Sequence, residues 1–138
     1  MSKYERSEME YLFRNYYHYK RDLEALQEKV SHMEAQATKI TPNFSADVPA
    51  GPRTGPPTSR VEKYAIRITM ARETIADLEK LIAATDELFA ALRPHQKYLV
   101  KCIECNHMKP KEFAYRNKMN VNTVRMNLNN IYKKLAEI

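Results

Sequence analysis

Two stretches of the chain place apolar and aromatic residues in alternating steps of four and three, the heptad spacing of helices that pack along each other. The first row predicts a helix over about residues 7–39, and the second predicts a helix over about 59–92. The rows are Leu12, Tyr16, Tyr19, Leu23, Leu26, Val30, Met33 and Ala37, and Val61, Tyr64, Ile68, Ala71, Ile75, Leu78, Ile82, Thr85, Phe89 and Leu92. At about 1.5 Å per residue both helices are roughly 50 Å long. Residues 1–92 are therefore predicted to form a long antiparallel two-helix coiled-coil hairpin in an all-α protein.

The connection between these helices is rich in residues that interrupt helices. Residues 41–60 hold both glycines of the chain and five of its seven prolines. We therefore predict that residues 41–58 form a non-helical loop. Ser59 and Glu62 have the spacing of a capping box, which predicts the start of the second helix.

Further apolar residues lie beside the second row. Ile66, Met70, Leu81 and Leu88 make its apolar stripe wider than one partner helix covers. This width predicts a homo-oligomer in which some of these side chains meet another subunit. The alternative is that they pack on the C-terminal module or stay partly exposed.

Positive charge is concentrated in the last third of the chain. Residues 1–92 carry 13 Lys or Arg and 14 Asp or Glu, whereas residues 93–138 carry 10 and 3. A basic module beside a nearly neutral arm is typical of proteins that bind nucleic-acid phosphates. A basic surface that only keeps a protein soluble would have the same composition. The predicted domains are residues 1–92 and residues 93–138.

No sequence motif indicates catalysis or a bound cofactor. A chain with two glycines has little material for a phosphate-binding loop, and no catalytic dyad or nucleophile motif is present. The first residues, MSKYERSEMEYLF, contain no signal-peptide apolar run, and no apolar stretch reaches the about 18 residues that span a membrane. We therefore predict a cytoplasmic protein that is not an enzyme, uses no cofactor and binds no membrane.

Three short helices are predicted in residues 93–138. Pro94 and Pro110 each fit the first turn of a helix, where the missing N–H would have no partner within the helix anyway. The residues predicted to face inward in the first two helices are Tyr98, Leu99, Cys102, Ile103, Phe113 and Ala114.

The spacing of the last two helices predicts a helix-turn-helix. Ala114 is small, which lets the following helix cross close to it, and Asn120 can accept the free N–H groups at the start of that helix. The buried stripe predicted for the last helix consists of Val124, Leu128, Ile131 and Leu135.

The opposite face of the last helix carries side chains suited to the major groove of double-stranded DNA. Asn makes paired hydrogen bonds with adenine and Arg with guanine, so Asn122 and Arg125, near the helix start, are our first choices for base readout. Lysines near the helix end suit phosphates. The alternative is a polar face that only keeps a three-helix module soluble. The predicted DNA-binding residues are Asn122, Arg125, Met126, Asn129, Lys133, Lys134, Lys111, Arg116 and Lys118.

From Leu92 onward the chain resembles the sigma-factor region-4 type of helix-turn-helix. Phe113-Ala114, Asn120 and Thr123-Val124 occupy the positions of that motif. Asn117 stands where the family prefers Leu, and Asn120 replaces a capping Ser. A buried and unpaired Asn117 side chain would therefore show that this register is wrong.

With its hairpin, loop and short length, the whole chain is similar to phage late-gene transcriptional regulators of the ArpU and RinA type. This resemblance implies a phage or prophage protein that works in the bacterial host cytoplasm and binds promoter DNA of late or packaging genes. It also implies RNA polymerase as a further candidate partner.

Two other residue groups have less specific patterns. Cys102, Cys105 and His107 have spacing that can begin a zinc site, but a fourth ligand is not evident. We therefore predict no metal. The tyrosines near the N-terminus could stack on single-stranded bases, although the heptad places Tyr16 and Tyr19 in the core.

Two alternative functions stay open at this point. A phage small terminase subunit also joins a helix-turn-helix to an oligomerising helical hairpin, and it recognises DNA for packaging. A coiled-coil adaptor would bind only protein. The oligomeric state and salt-dependent DNA binding separate these possibilities from a transcriptional regulator.

Overall fold

The computed structural model describes the backbone of residues 4–46 and 60–138 and the side chains of residues 4–38 and 62–138. Every regular element in these residues is helical, which confirms the all-α fold class. The elements are α1 (Arg6–Arg14), α2 (Tyr16–Ala46), α3 (Arg60–Ala90), α4 (Pro94–Val100), a π-helical turn (Lys101–Cys105), α5 (Pro110–Arg116) and α6 (Val121–Ala136).

The first predicted helix, about 7–39, is in fact two helices with a break at Asn15. The Asn15 side-chain amide donates a hydrogen bond of 2.9 Å to the carbonyl of Tyr11, four residues earlier. An asparagine amide that bonds a carbonyl of the preceding turn competes with the helical backbone. The prediction of one unbroken helix was therefore wrong.

The second of these helices also extends further than predicted. α2 continues to Ala46, so the prediction of a non-helical loop was wrong for residues 41–46, which include Pro42. A proline removes one backbone donor and disturbs the preceding turn, but helical backbone continues past it here. Residues 47–58 of the predicted loop, and the Ser59 capping box, lie outside the described residues.

The described chain divides into two compact units. The central unit comprises residues 21–46 and 60–79. In it α2 packs against α3 through Val30, Met33 and Ile68, with Tyr64, Ala71 and Ile75 around them. Arg72 of α3 forms an exposed ion pair with Glu34 of α2.

The terminal unit comprises residues 4–20 and 80–138, so it joins the two ends of the chain. Its core holds Phe13 of α1, Phe89 of α3 and Tyr132 of α6. The Phe13 ring centroid lies 5.0 Å from that of Phe89 and 6.3 Å from that of Tyr132. The boundary predicted between residues 92 and 93 does not coincide with this division, because α1 packs with the C-terminal helices.

The predicted apolar rows agree with the burial pattern. None of their described side chains is exposed, and Tyr16 and Tyr19 are buried as core residues. The flanking apolar residues behave differently from one another: Leu88 is buried, whereas Ile66 and Met70 are 55% and 62% exposed. Leu88 therefore packs within the chain and is not available to another subunit.

Within residues 4–46 and 60–138, no helix combines the length and the apolar composition needed to cross a bilayer.

Candidate nucleic-acid interface

Helix α4 and the π-helical turn pack against the last two helices, α5 and α6. Pro94 occupies the first turn of α4, and the Gln96 side chain accepts a hydrogen bond of 3.0 Å from the Arg93 N–H. The wider π turn delays the rotation of the side chains that follow. The buried residues are Leu99, Val100, Ile103, Glu104 and Cys105. Tyr98, which precedes the π turn and was predicted to face inward, is instead 52% exposed, and its ring centroid lies 5.6 Å from that of Phe113.

An ion pair with the buried Glu104 carboxylate links α1 to the π-helical turn. The Glu104 side chain is 8% exposed and accepts a hydrogen bond of 3.1 Å from Arg14 Nε, whereas the Arg14 side chain is 54% exposed. Glu10 lies 3.7 Å from the same guanidinium. A charge that is buried needs a partner to offset its lost hydration. Arg14 supplies that partner from the other end of the sequence.

Asparagines define both ends of the connection between α5 and α6. The Asn117 amide donates 2.9 Å to the Phe113 carbonyl, at the end of α5. The Asn120 side chain accepts 2.8 Å from the Asn122 N–H, as expected of the N-cap of α6. Asn117 is half-buried, and its amide is hydrogen-bonded. The Asn117 side chain therefore does not contradict the predicted register.

The backbone between these two asparagines turns through a left-handed residue. Lys118 has a φ of 54°, and the Met119 N–H donates a hydrogen bond of 2.8 Å to the Ala114 carbonyl. Phe113 and Ala114 are both buried, as predicted. The direction of α6 relative to α5 is therefore fixed by local hydrogen bonds and by a tight apolar contact.

The left-handed residue permits a stability test of this turn. Lys118→Gly is expected to be more stable than Lys118→Ala by about 1 kcal/mol, because only glycine adopts positive φ without a steric penalty. Urea denaturation of the two variants measures the difference. Equal stability, or a less stable glycine variant, would contradict the turn geometry.

One face of α6 is buried in the terminal unit. The predicted stripe of Val124, Leu128, Ile131 and Leu135 is buried throughout, with Val124 at 0% exposure. Tyr132 is also buried, at 2%, and the sequence interpretation missed it. Its spacing of four residues from Leu128, on the edge of the stripe, was the available signal.

The Tyr132 ring is held by residues of α1. The Arg6 guanidinium carbon lies 4.7 Å from the ring centroid. The Tyr132 hydroxyl is buried and has no hydrogen-bond partner in the part of the chain that is described. Burial, together with the neighbouring Glu104 and Glu10 carboxylates, raises the pKa of this hydroxyl. Tyr132 therefore stays neutral and acts as a packing residue.

The nine predicted DNA-binding residues are all exposed on α5, α6 and the turn between them. Met126 is the most exposed apolar side chain of α6, at 59%. Two of the nine residues have intramolecular partners: Arg116 pairs with Glu112 at 2.9 Å, and Lys134 Nζ donates to Gln96 Oε1 at 3.4 Å. Within the described residues, the other cations of the set have no carboxylate at ion-pair distance.

Helix α1 borders this face on one side. A groove of about 380 Å³ is lined by Asn129 and Lys133 of α6 and by Tyr4, Arg6 and Met9 from the N-terminal end of the chain. The sequence interpretation did not include Arg6, because nothing in the pattern places it next to residues more than a hundred positions away. The structure puts one more arginine at the edge of the exposed face, where its guanidinium is paired with Glu10 at 3.0 Å.

On its other side α6 lines a deeper cleft. This cleft has a volume of about 440 Å³, an apolar floor that includes Leu99, Phe113 and Ile131, and a carboxamide rim. Asn127 and Asn130 belong to this rim. They therefore lie beside the outward face of α6.

The cysteines are poorly placed for chemistry. Cys105 is buried, and burial raises the pKa of its thiol to about 12, with Glu104 contributing. A thiol with this pKa stays protonated and is a weak nucleophile and a weak metal ligand. Cys102 is half-buried. The described residues contain no group of three His, Cys, Asp or Glu side chains arranged for a metal ion.

The N-terminal tyrosines have structural roles. Tyr16 donates a hydrogen bond from its hydroxyl to Asp86 and packs its ring 5.2 Å from that of Phe89. Burial raises the pKa of Tyr19 to about 12, with the neighbouring Tyr11 contributing. The rings of Tyr16 and Tyr19 lie in the core, where they cannot stack on bases, whereas Tyr11 is 62% exposed.

No protein-family model matches the sequence, and no curated protein or solved structure matches it at a significant level. The function of the chain must be inferred from its own residues.

Proposed function

We propose that the chain is a sequence-specific regulator of transcription that binds double-stranded DNA, with α5 and α6 as a helix-turn-helix and α6 as the recognition helix. One observation carries the proposal: α6 buries Val124, Leu128, Ile131 and Leu135 and leaves its asparagine, arginine, methionine and lysine side chains exposed on the outer side. A helix that is anchored by one face and rich in base-reading side chains on the other suits the major groove.

Charge supports the same proposal. Residues 93–138 carry 10 Lys or Arg and 3 Asp or Glu, and two of these carboxylates, Glu104 and Glu112, are already paired with arginines. The remaining cations surround an exposed face that holds few negative charges. Such a surface attracts phosphates and makes binding depend on salt.

The rest of the chain is proposed to form an antiparallel coiled-coil hairpin that holds two or more copies together. The packing of α2 on α3 through Val30, Met33 and Ile68 supports the hairpin, and the exposed Ile66 and Met70 support a homo-oligomer. Because the chain resembles late-gene regulators of the ArpU and RinA type, we propose that it is a phage or prophage protein of the bacterial cytoplasm. RNA polymerase is its proposed further partner, and we propose neither catalysis nor a cofactor.

Selection of bound duplexes from a random DNA pool tests the proposal. A regulator is expected to enrich one short motif, with affinity that falls as salt rises. Recovery of unenriched sequences would contradict sequence-specific binding. A complete lack of salt-dependent DNA binding would favour a coiled-coil adaptor that binds only protein.

Two substitutions separate base contacts from phosphate contacts. Arg125→Ala is expected to relax base preference at one position of the motif, whereas Lys133→Ala is expected to weaken binding to all duplexes and to lower the salt slope by ~1. Fluorescence anisotropy on selected and random duplexes measures both effects. Equal losses on both duplexes for both variants would contradict these roles.

A small terminase subunit is the second candidate, and the exposed apolar pair Ile66 and Met70 favours it because packaging proteins of this kind assemble through their helical arms. Light scattering of the full chain distinguishes the two candidates. A ring of about eight or more subunits favours packaging, whereas a monomer or dimer favours regulation. A monomer would, however, contradict the proposed homo-oligomer.

A further inference from the structure

Four exposed residues form a single row along the outermost side of α6. Asn122, Met126, Asn129 and Lys133 follow one another at steps of four, three and four residues. With 3.6 residues per turn, these steps bring each side chain back to the same side of the helix. We call these four residues the outer row.

The polar side chains of the outer row have no structural task in the chain. Within the described residues, neither the Asn122 nor the Asn129 side-chain amide makes an intramolecular hydrogen bond. By contrast, the amides of Asn117 and Asn120 are used at the ends of α5 and α6. Asparagine is a poor helix former, so the presence of Asn129 in the middle of α6 calls for another explanation.

The chemistry of the row favours one kind of base pair. An asparagine amide forms paired hydrogen bonds with N6 and N7 of adenine, and an apolar side chain packs on the C5-methyl group of thymine. Met126, 59% exposed between the two asparagines, is the apolar member. Helix α6 contains no Asp or Glu, which are the side chains that accept from the N4 amine of cytosine.

We propose that the outer row reads consecutive A·T pairs, so that the DNA sites of this chain carry an A·T core. This inference rests on the proposed function, since it requires α6 to lie in the major groove. Asn122 and Asn129 are seven residue steps apart, about 10 Å at 1.5 Å per residue, which matches about three base pairs at 3.4 Å per step. Arg125 lies to one side of the row and contacts a guanine at the edge of the core.

Modified bases in the selected duplex test this reading directly. Replacing core thymines by uracil removes only the methyl group and is expected to weaken binding by about four-fold per contacted base. Replacing core adenines by 7-deazaadenine removes the N7 acceptor and is expected to weaken it by about five-fold or more. Anisotropy titrations at fixed salt measure both changes.

Variants assign these effects to residues. Met126→Ala is expected to abolish the difference between thymine and uracil and to keep the 7-deazaadenine effect. Asn122→Ala and Asn129→Ala are each expected to reduce the 7-deazaadenine effect and to keep the uracil effect. Asn130→Ala is the matched control, since Asn130 lies on the cleft side of α6, and both modified bases are expected to act on it as on the wild type.

The possible outcomes separate this inference from the proposed function. An enriched motif with an A·T core and residue-specific loss of the modified-base effects supports both. An enriched motif made of G·C pairs, or modified-base effects that persist in all the variants, overturns the A·T reading and leaves sequence-specific binding intact. Absence of any enriched motif overturns the proposed function itself.

Discussion

Phe13→Ala is expected to lower the free energy of unfolding by about 3–5 kcal/mol and to abolish sequence-specific DNA binding at physiological temperature. The Phe13 side chain is 0% exposed, and its ring packs against Phe89 and Tyr132. Removing the ring leaves a cavity beneath α6. Because small domains are stable by only about 5–15 kcal/mol, a loss of this size leaves α6 poorly held.

Tyr11→Ala is the matched control, since Tyr11 lies on the same helix but is 62% exposed. Its effect on stability is expected to stay below about 1 kcal/mol. Urea denaturation followed by circular dichroism measures both variants. A Phe13 variant as stable as the Tyr11 variant would show that α1 is not part of the core beneath α6.

Arg14→Ala is expected to destabilise the chain by about 1–3 kcal/mol, because it leaves the Glu104 carboxylate buried without its guanidinium partner. This loss is smaller than the about 3–5 kcal/mol that breaking a fully buried pair costs, since Arg14 itself is 54% exposed and water can partly replace it. Glu104→Gln alone is expected to cost less, because the freed guanidinium reaches water. Adding Glu104→Gln to Arg14→Ala is expected to recover part of the loss.

An exposed arginine–carboxylate pair in the central unit provides the control for this cycle. Arg72 and Glu34 have side chains that are 64% and 44% exposed, and Arg72→Ala is expected to change stability by less than about 1 kcal/mol. Thermal or urea unfolding of the four variants measures the set. If Arg14→Ala costs no more than Arg72→Ala, the buried carboxylate does not depend on Arg14.

Local chemistry made a large part of the fold predictable from the sequence. The heptad rows identified residues that the structure leaves unexposed, the prolines at 94 and 110 marked helix starts, and Asn120 was correctly identified as a cap. The breaks at Asn15 and Asn117 share one signature, in which the side-chain amide bonds the carbonyl four residues earlier. This hydrogen bond forms only in the folded conformation. The sequence alone therefore does not distinguish an asparagine that ends a helix from one that lies inside a helix.

The missed features depend on partners that are distant in the chain. Met9 and Phe13 lie off the heptad row and are buried at 1% and 0%. Neither was predicted as a core residue, because nothing in the heptad pattern identifies α6 as their partner. The π-helical turn has no residue signature of its own, so the inward position of the Glu104 carboxylate could not be derived from a regular helical period. The DNA-binding set was drawn from α5, α6 and the turn between them, and for that reason Arg6 of α1 was absent from it.

The central claim is that α6 reads base pairs in double-stranded DNA. Its most direct test is an anisotropy titration of the wild-type chain with a selected duplex and with a scrambled duplex of the same composition, each at several salt concentrations. If α6 reads base pairs, the chain is expected to prefer the selected duplex by about a thousand-fold or more, and both affinities are expected to fall as salt rises. Equal affinities for the two duplexes, or no binding to either at low salt, would contradict it.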